Sequence, residues 1–237
     1  MQNHLRENLA EVKSKIEASA KRAGRKAGEI KLIAVSKTHP ASVVREAIEA
    51  GANVFGENKV QEAESKIKEI GRENTEWHLI GHLQKNKARK AVQLFDVIHT
   101  LDSIELAERL ERICREEDRK DLRVLAQIDL AREATKNGIE EKDLAELAAF
   151  LQTCERLKFA GLMIIPPFYE DVEKARPFFR RLREIRDGLA KRNLFSKGKG
   201  ELSMGMSHDF ETAIEEGATC VRVGTAIFGA REKVTAR

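Results

Sequence analysis

One feature constrains this chain more than any other. From residue 31 almost to the end, short apolar or β-branched runs alternate with stretches of helical periodicity. Strand runs fall at Leu32–Lys37, Asn53–Gly56, Trp77–Gly81, Val97–Thr100, Val124–Leu130, Phe159–Ile165, Glu201–Met204 and Cys220–Gly224. Between them, helical spacing is seen near Ala41–Ala50, Lys59–Ile70, Lys85–Phe95, Ser103–Glu117, Glu141–Leu151, Val172–Arg192 and Asp209–Glu216. Strands separated by helices pair in parallel, because a parallel pair needs a crossover rather than a hairpin. Roughly eight such runs match a closed barrel, with an open doubly wound sheet as the alternative. The expected fold is therefore α/β, a single (β/α)8 TIM-type barrel spanning residues 1–237 as one domain. Leu5, Leu9, Val12 and Ile16 add an amphipathic N-terminal helix, expected to cover one end of the domain.

Two segments look alike, Ala47-Ile48-Glu49-Ala50-Gly51-Ala52 and Ala213-Ile214-Glu215-Glu216-Gly217-Ala218. Each places a glycine where a helix must end in a left-handed residue, which fits repeated αβ units and also fits chance recurrence of good helix-stop chemistry. Composition excludes several classes. With 41% hydrophobic and 35% charged residues, the chain can bury a core and is not disordered. The 43 basic and 39 acidic residues are mixed along its length, so no basic block marks a nucleic-acid partner. Charges every few residues from Met1 to Lys15 leave no signal peptide and no membrane span. Cys114, Cys154 and Cys220 are odd in number and widely spaced, which suits a reduced, cytoplasmic setting and offers no metal motif.

In a parallel barrel the working side chains sit where strands end, so chemistry is sought there. Lys37 closes the first strand run on the face of Ile33 and Val35, which places its amine at the barrel mouth. A lysine shielded from water keeps a larger neutral fraction and can condense with an aldehyde, although a solvated strand-end lysine fits the position as well. In Cys220-Val221-Arg222-Val223-Gly224-Thr225 the alternation points Arg222 inward, toward either a cofactor's aromatic nitrogen or an internal partner such as Glu57 or Asp129. Gly224 permits a close backbone approach, and Thr225 with the amides opening the last helix can meet phosphate oxygens. Ser203 and Ser207, in Ser203-Met204-Gly205-Met206-Ser207, stand beside the same phosphate position, while Ser207 also fits a cap for the helix that follows. Asn58 and the Gly81-His82-Leu83-Gln84 stretch can orient a ligand or simply make turns. The cations of Lys85-Asn86-Lys87-Ala88-Arg89-Lys90, and Lys136 with Asn137, fit solvated surface better than an anion site. Gly198-Lys199-Gly200 lacks the third glycine and the preceding strand of a dinucleotide fingerprint.

Taken together, five segments resemble one family. They are Ala34-Val35-Ser36-Lys37-Thr38, Phe55-Gly56-Glu57-Asn58 with Gln61-Glu62, Trp77-His78-Leu79-Ile80-Gly81-His82-Leu83-Gln84 with Asn86-Lys87, Leu202-Ser203-Met204-Gly205-Met206-Ser207, and Val221-Arg222-Val223-Gly224-Thr225. The family is the pyridoxal phosphate homeostasis proteins, whose barrel is similar to the N-terminal domain of alanine racemase. Leu79 departs from the Phe or Met usual there and leaves the polar positions intact. The resemblance implies pyridoxal 5′-phosphate (PLP) as cofactor, with Lys37 as its Schiff-base lysine. It further implies Arg222 facing the pyridine nitrogen and Ser203, Ser207, Gly224 and Thr225 around the phosphate, with Asn58 as a further contact.

The implied role is a binding protein that buffers and carries PLP inside the cell, not an enzyme. The expected partners are PLP and PLP-requiring apoenzymes, with no nucleic acid and no membrane. The alternative is a PLP-dependent amino-acid racemase of weak activity, which needs a base on each face of the cofactor, Lys37 on one and Lys136 or His82 on the other. No sequence after the last strand is left for the second domain that completes alanine racemase, so a monomeric carrier is the expectation.

Overall fold

In the computed structural model, which describes residues 2–131 and 137–229, the alternation becomes a closed barrel. The elements run α1 (Gln2–Arg22), β1 (Lys31–Val35), α2 (Ala41–Glu49), β2 (Val54–Glu57), α3 (Val60–Ile70), β3 (Glu76–Leu79), α4 (Ala88–Leu94), β4 (Val97–Leu101) and α5 (Ile104–Glu116). They continue with β5 (Leu122–Asp129), β6 (Ile139–Glu140), α6 (Leu144–Thr153), β7 (Leu157–Met163), α7 (Arg176–Lys191), β8 (Glu201–Met206), α8 (Phe210–Glu215), β9 (Cys220–Val223) and α9 (Thr225–Phe228). Neighbours pair in parallel in the order β4-β3-β2-β1-β9-β8-β7-β5, and a β4–β5 pairing closes the ring, which excludes the open sheet. The short β6 adds to β5 outside the ring.

Helix α1 is not a lid. It packs against α2, α8 and α9, on the outside of the barrel. Helix α9 has only four residues and cannot fill the last place in the helical ring, so α1 fills it from the other terminus. Leu5, Leu9, Val12, Ile16 and Ala20 are buried along one stripe, worth about 1.5–3 kcal/mol for each large side chain. Asn8 Nδ2 donates to Ile227 O at 3.0 Å and fixes the register against α9. The two look-alike segments end their helices in the same way. Gly51 N bonds Ile48 O and Ala52 N bonds Ala47 O, while Gly217 N bonds Ile214 O and Ala218 N bonds Ala213 O. Both glycines have φ near or above +90°, the left-handed stop that the sequence predicts.

The cations around residues 85–90 are met by acids from neighbouring helices rather than left to solvent alone. Lys85 pairs with Glu105 at 2.6 Å, Lys90 with Glu64 at 2.9 Å, and Arg89 with Glu116 and Glu117.

Two small apolar clusters, Ile33 with Val54 and Cys220, and Val97 with Leu125 and Met163, are separate from the main core between barrel and helices. Polar residues share the buried interior: His78, His99 and Ser203 are 0% exposed and Arg222 is 3% exposed. A barrel interior is ordinarily filled by branched apolar side chains, so this polar content calls for a reason.

Candidate functional site

Strand β1 ends at Val35, two residues before Lys37, so the lysine stands in a tight turn rather than on the strand as the alternation predicts. The turn is strongly held. Thr38 has φ +69°, a region that a β-branched residue enters only when its surroundings compel it. Its N–H donates to Glu62 Oε1, Ser36 Oγ donates to Glu57 Oε1 at 2.6 Å, and His39 N bonds Ser36 O at 3.1 Å. Lys66 gathers these groups, its Nζ reaching Ser36 O at 2.7 Å, Glu57 Oε1 at 2.6 Å and Glu62 Oε1 at 2.7 Å. Burial pushes the Glu57 carboxyl up, and the Lys66 ammonium beside it pulls it back. Glu57 and Lys66 thus serve the turn that presents Lys37.

His39 also stacks on Phe228 of α9, with ring centroids 5.0 Å apart, which ties this turn to the other rim of the mouth. There Gly224 opens α9. A Cβ on Gly224 would meet Val35 O at 3.3 Å, so glycine lets β9 lie this close to β1. Ser207 Oγ accepts from Gly224 N at 3.1 Å and from Ala226 N at 3.4 Å. Ser207 therefore caps α9, not the helix that follows it, where Asp209 occupies the N-cap and accepts from Met206 N at 2.7 Å.

A bulge explains this aim. Ser203 pairs with Cys220 and Met206 with Arg222, so three residues on β8 span two on β9. Gly205, at φ +90°, absorbs the extra residue, and a Cβ there would sit 2.6 Å from Ala213 Cβ. Such bulges redirect the side chains beyond them. Thr225 is exposed beside Ser207 at the start of α9.

Arg222 lies under the mouth. Among the described residues it bonds neither Glu57 nor Asp129: its Nη1 donates to Ser203 Oγ at 2.6 Å and its Nη2 to Ile164 O at 2.9 Å. Burial pushes the guanidinium down to about 10, so it stays charged at neutral pH. Ser203 is fully buried, and its hydroxyl also meets His99 Nδ1 at 2.9 Å. The sequence places Ser203 at the phosphate rim; in the structure its hydroxyl is buried between Arg222 and His99, ahead of the bulge.

Asn58 is half-buried and lines a cleft of about 320 Å³ with Ile80, Gly81, His82, Gln127 and Asn137, among others, at the ends of β2, β3 and β5. Gly81 is required here, since a Cβ would fall 2.4 Å from Asn58 O. His82 is exposed and faces Asp102 at 3.5 Å, and Asn137 O accepts from Gln127 Nε2 at 2.5 Å. Lys136 lies outside the described residues. A larger cleft, about 540 Å³, opens at the opposite end beside Lys31, Glu76, Glu201 and Cys220. Barrel chemistry belongs to the strand C-termini, so the smaller one lies at the relevant end, although of the predicted cofactor residues only Asn58 lines it.

Sequence reasoning misses His78 and His99 as chemical groups. Their rings are 4.9 Å apart on adjacent strands, with His78 Nδ1 2.7 Å from His99 Nε2. Inward alternation along β3 and β4 was the available signal.

A buried arginine ringed by neutral acceptors, a lysine on a braced turn and a hydroxyl-capped glycine rim fit an anionic aromatic aldehyde. Comparison with known proteins points the same way. Residues 4–232 match the family model described as alanine racemase, N-terminal domain. The pyridoxal phosphate homeostasis protein of Escherichia coli (strain K12) is 45% identical over 234 residues, covering 97% of this chain and 98% of the relative. The chain belongs to the pyridoxal phosphate homeostasis protein family. Among solved structures, PipY of Synechococcus elongatus, determined with PLP bound, is similar to this chain. It is 39% identical, with a TM-score of 0.84 over 95% of this chain and 100% of PipY. Alanine racemase from Corynebacterium glutamicum shares the family's fold, with a TM-score of 0.71 at 18% identity, covering 100% of this chain and 64% of the racemase.

Proposed function

We propose that this chain binds PLP covalently through Lys37 and serves PLP homeostasis as a carrier. The observation that carries this reading is Arg222, a buried charge whose hydrogen bonds go to a hydroxyl and a carbonyl rather than to a carboxylate, which suits a ring nitrogen as a further partner. A buried cation without an electron-rich partner is costly, and a pyridine nitrogen supplies one. PLP bound here supplies an aldehyde that condenses reversibly with an amine, and an aromatic ring that can draw electrons. The braced turn carries Lys37, whose amine would meet that aldehyde. Arg222 gives up a proton far less readily than a pyridinium, so it leaves the ring nitrogen unprotonated and the ring a weak electron sink. That suits retention over turnover. Ser207, Gly224 and Thr225 would hold the phosphate, and Asn58 would border the ring from the neighbouring cleft.

The reading extends to a monomer in the cytoplasm that hands PLP to apoenzymes. It is supported by the homeostasis role for which its relatives are named and by buried thiols at Cys114 and Cys220 that form no disulfide. The test is the visible spectrum of the protein with PLP, followed by borohydride trapping and peptide mapping. We expect a yellow protein with its pyridoxyl adduct on Lys37, and loss of both in Lys37→Ala. An adduct confined to another lysine would remove Lys37 from this role. Incubation of the loaded protein with single-enantiomer amino acids tests the carrier assignment, and racemisation at ordinary enzyme rates would overturn it.

A further inference from the structure

A continuous line of polar side chains runs through the barrel from Arg222 to its opposite end. Arg222 Nη1 donates to Ser203 Oγ at 2.6 Å, and Ser203 Oγ is 2.9 Å from His99 Nδ1. His99 Nε2 is 2.7 Å from His78 Nδ1, and His78 Nε2 is 2.9 Å from Glu76 Oε1. Glu76 in turn receives Lys31 Nζ at 3.1 Å and hydrogen-bonds Arg123, which also faces Glu201 at 3.6 Å. Cys220 Sγ donates to Glu201 at 3.4 Å, and Asp209 lies in electrostatic reach of Arg222.

With neutral imidazoles, only one arrangement of protons satisfies every contact. The Ser203 hydroxyl donates to His99 Nδ1, His99 Nε2–H to His78 Nδ1, and His78 Nε2–H to the Glu76 carboxylate. The reverse order aims a bare His78 Nε2 lone pair at an ionised carboxylate. Glu76 is indeed ionised: although burial alone would raise it, the hydrogen bond from His78 and the charges of Lys31 and Arg123 hold it well below the usual carboxylate range. A second proton on either imidazole would add a cation to a line that already carries Lys31, Arg123 and Arg222. Burial lowers His78, helped by Lys31 and Arg123 and opposed by the adjoining Glu76 carboxylate, and it lowers His99 further, helped by His78, Arg222, Lys31 and Arg123.

We propose that Glu76, His78, His99 and Ser203 form a one-way hydrogen-bond relay, both histidines neutral and protonated on Nε2, that orients Arg222 and sharpens its charge toward the cofactor ring. A hydroxyl that donates becomes a better acceptor, so the relay strengthens the Arg222–Ser203 bond and, with the Nη2 bond to Ile164 O, fixes the plane of the guanidinium. His78 and His99 are positioning residues; neither is placed to touch the ligand. Glu76 is the anchor, and it is 27% exposed on its side chain at the far cleft.

The cofactor part of this inference rests on the function proposed above, and two measurements separate them. Imidazole ¹⁵N spectra of the PLP-free protein at neutral pH test the relay itself, with no cofactor present. We expect both rings neutral with protonated Nε2; an imidazolium at either position, or a proton on Nδ1, overturns the relay. The second measurement is the pH titration of the visible band of PLP-loaded wild type, His99→Leu and His99→Gln. In His99→Leu the buried Ser203 hydroxyl loses its acceptor, and the midpoint should move by about half a pH unit or more. Gln, which offers both an acceptor and a donor, should restore much of it, a pattern that lost packing alone would not give. An unmoved midpoint in a folded His99→Leu overturns the coupling to the cofactor. If wild type shows no band, the functional reading and that coupling fall together, while the ¹⁵N spectra still decide the relay.

Discussion

Two cationic sites at opposite ends of the barrel handle charge in opposite ways. At the end where strands begin, cations meet carboxylates: Lys31 and Arg123 share Glu76, and Arg123 also faces Glu201. At the end where strands finish, Arg222 is more deeply buried and has only neutral acceptors in Ser203 and Ile164 O. The first arrangement is complete without a ligand, so it serves stability. The second gives the guanidinium no carboxylate to hydrogen-bond, only the charge of Asp209 in reach, and a fold tolerates that where a ligand completes the site.

The sharpest way to break this contrast is Arg222→Met. The side chain keeps the volume of the stem but removes the charge, and PLP affinity should fall roughly ten- to a hundredfold, in line with about 1.5–3 kcal/mol for a hydrogen bond to a charged group. Ser203 Oγ and Ile164 O also lose a donor, so thermal stability should drop modestly as well. Titration of the visible band against PLP concentration measures the first effect. Unchanged affinity would mean that Arg222 faces no ligand.

Glu76→Gln probes the other end and should have the reverse profile. Lys31 and Arg123 lose their shared carboxylate, and partial exposure limits the expected loss of stability to about 1–2 kcal/mol. The depressed Glu76 pKa stabilises the fold above the ordinary value of 4.5, and that contribution disappears as pH falls through the lower folded value. The stability gap between wild type and Glu76→Gln should therefore be widest above about pH 4.5 and close toward acid. Glu57, raised by burial, has the opposite sign: its contribution is complete below 4.5 and lost as pH rises through its folded value. The gap for Glu57→Gln should narrow with rising pH instead. Denaturant melts across pH distinguish the two, and parallel curves would refute the distinction.

The same contrast bears on what the sequence could convey. The strand runs, the two glycine stops and the inward aim of Arg222 follow from periodicity and local backbone chemistry, which neighbouring residues determine. The position of Lys37 follows only in part, because the left-handed Thr38 is imposed by Glu62 and Lys66 from α3. His78 and His99 meet through the pairing of β3 with β4, in which His78 lies opposite Val97. Ser203 and Ser207 take different roles only because a bulge at Gly205 separates them. Register and bulges are properties of strand pairs, and a linear reading does not contain them.

Ser207 gives the smallest effect and the finest test of that bulge. Its Oγ takes two amides at the start of α9, so Ser207→Ala should lower stability by about 1 kcal/mol as lost caps do. A cap alone predicts nothing further. A hydroxyl that also meets phosphate predicts a several-fold loss of PLP affinity, and it predicts that affinity for pyridoxal, which lacks the phosphate, stays nearly the same. Binding of PLP and of pyridoxal to wild type and Ser207→Ala gives four affinities. A loss confined to PLP places Ser207 at the phosphate rim, whereas equal losses for both ligands reduce it to a helix cap.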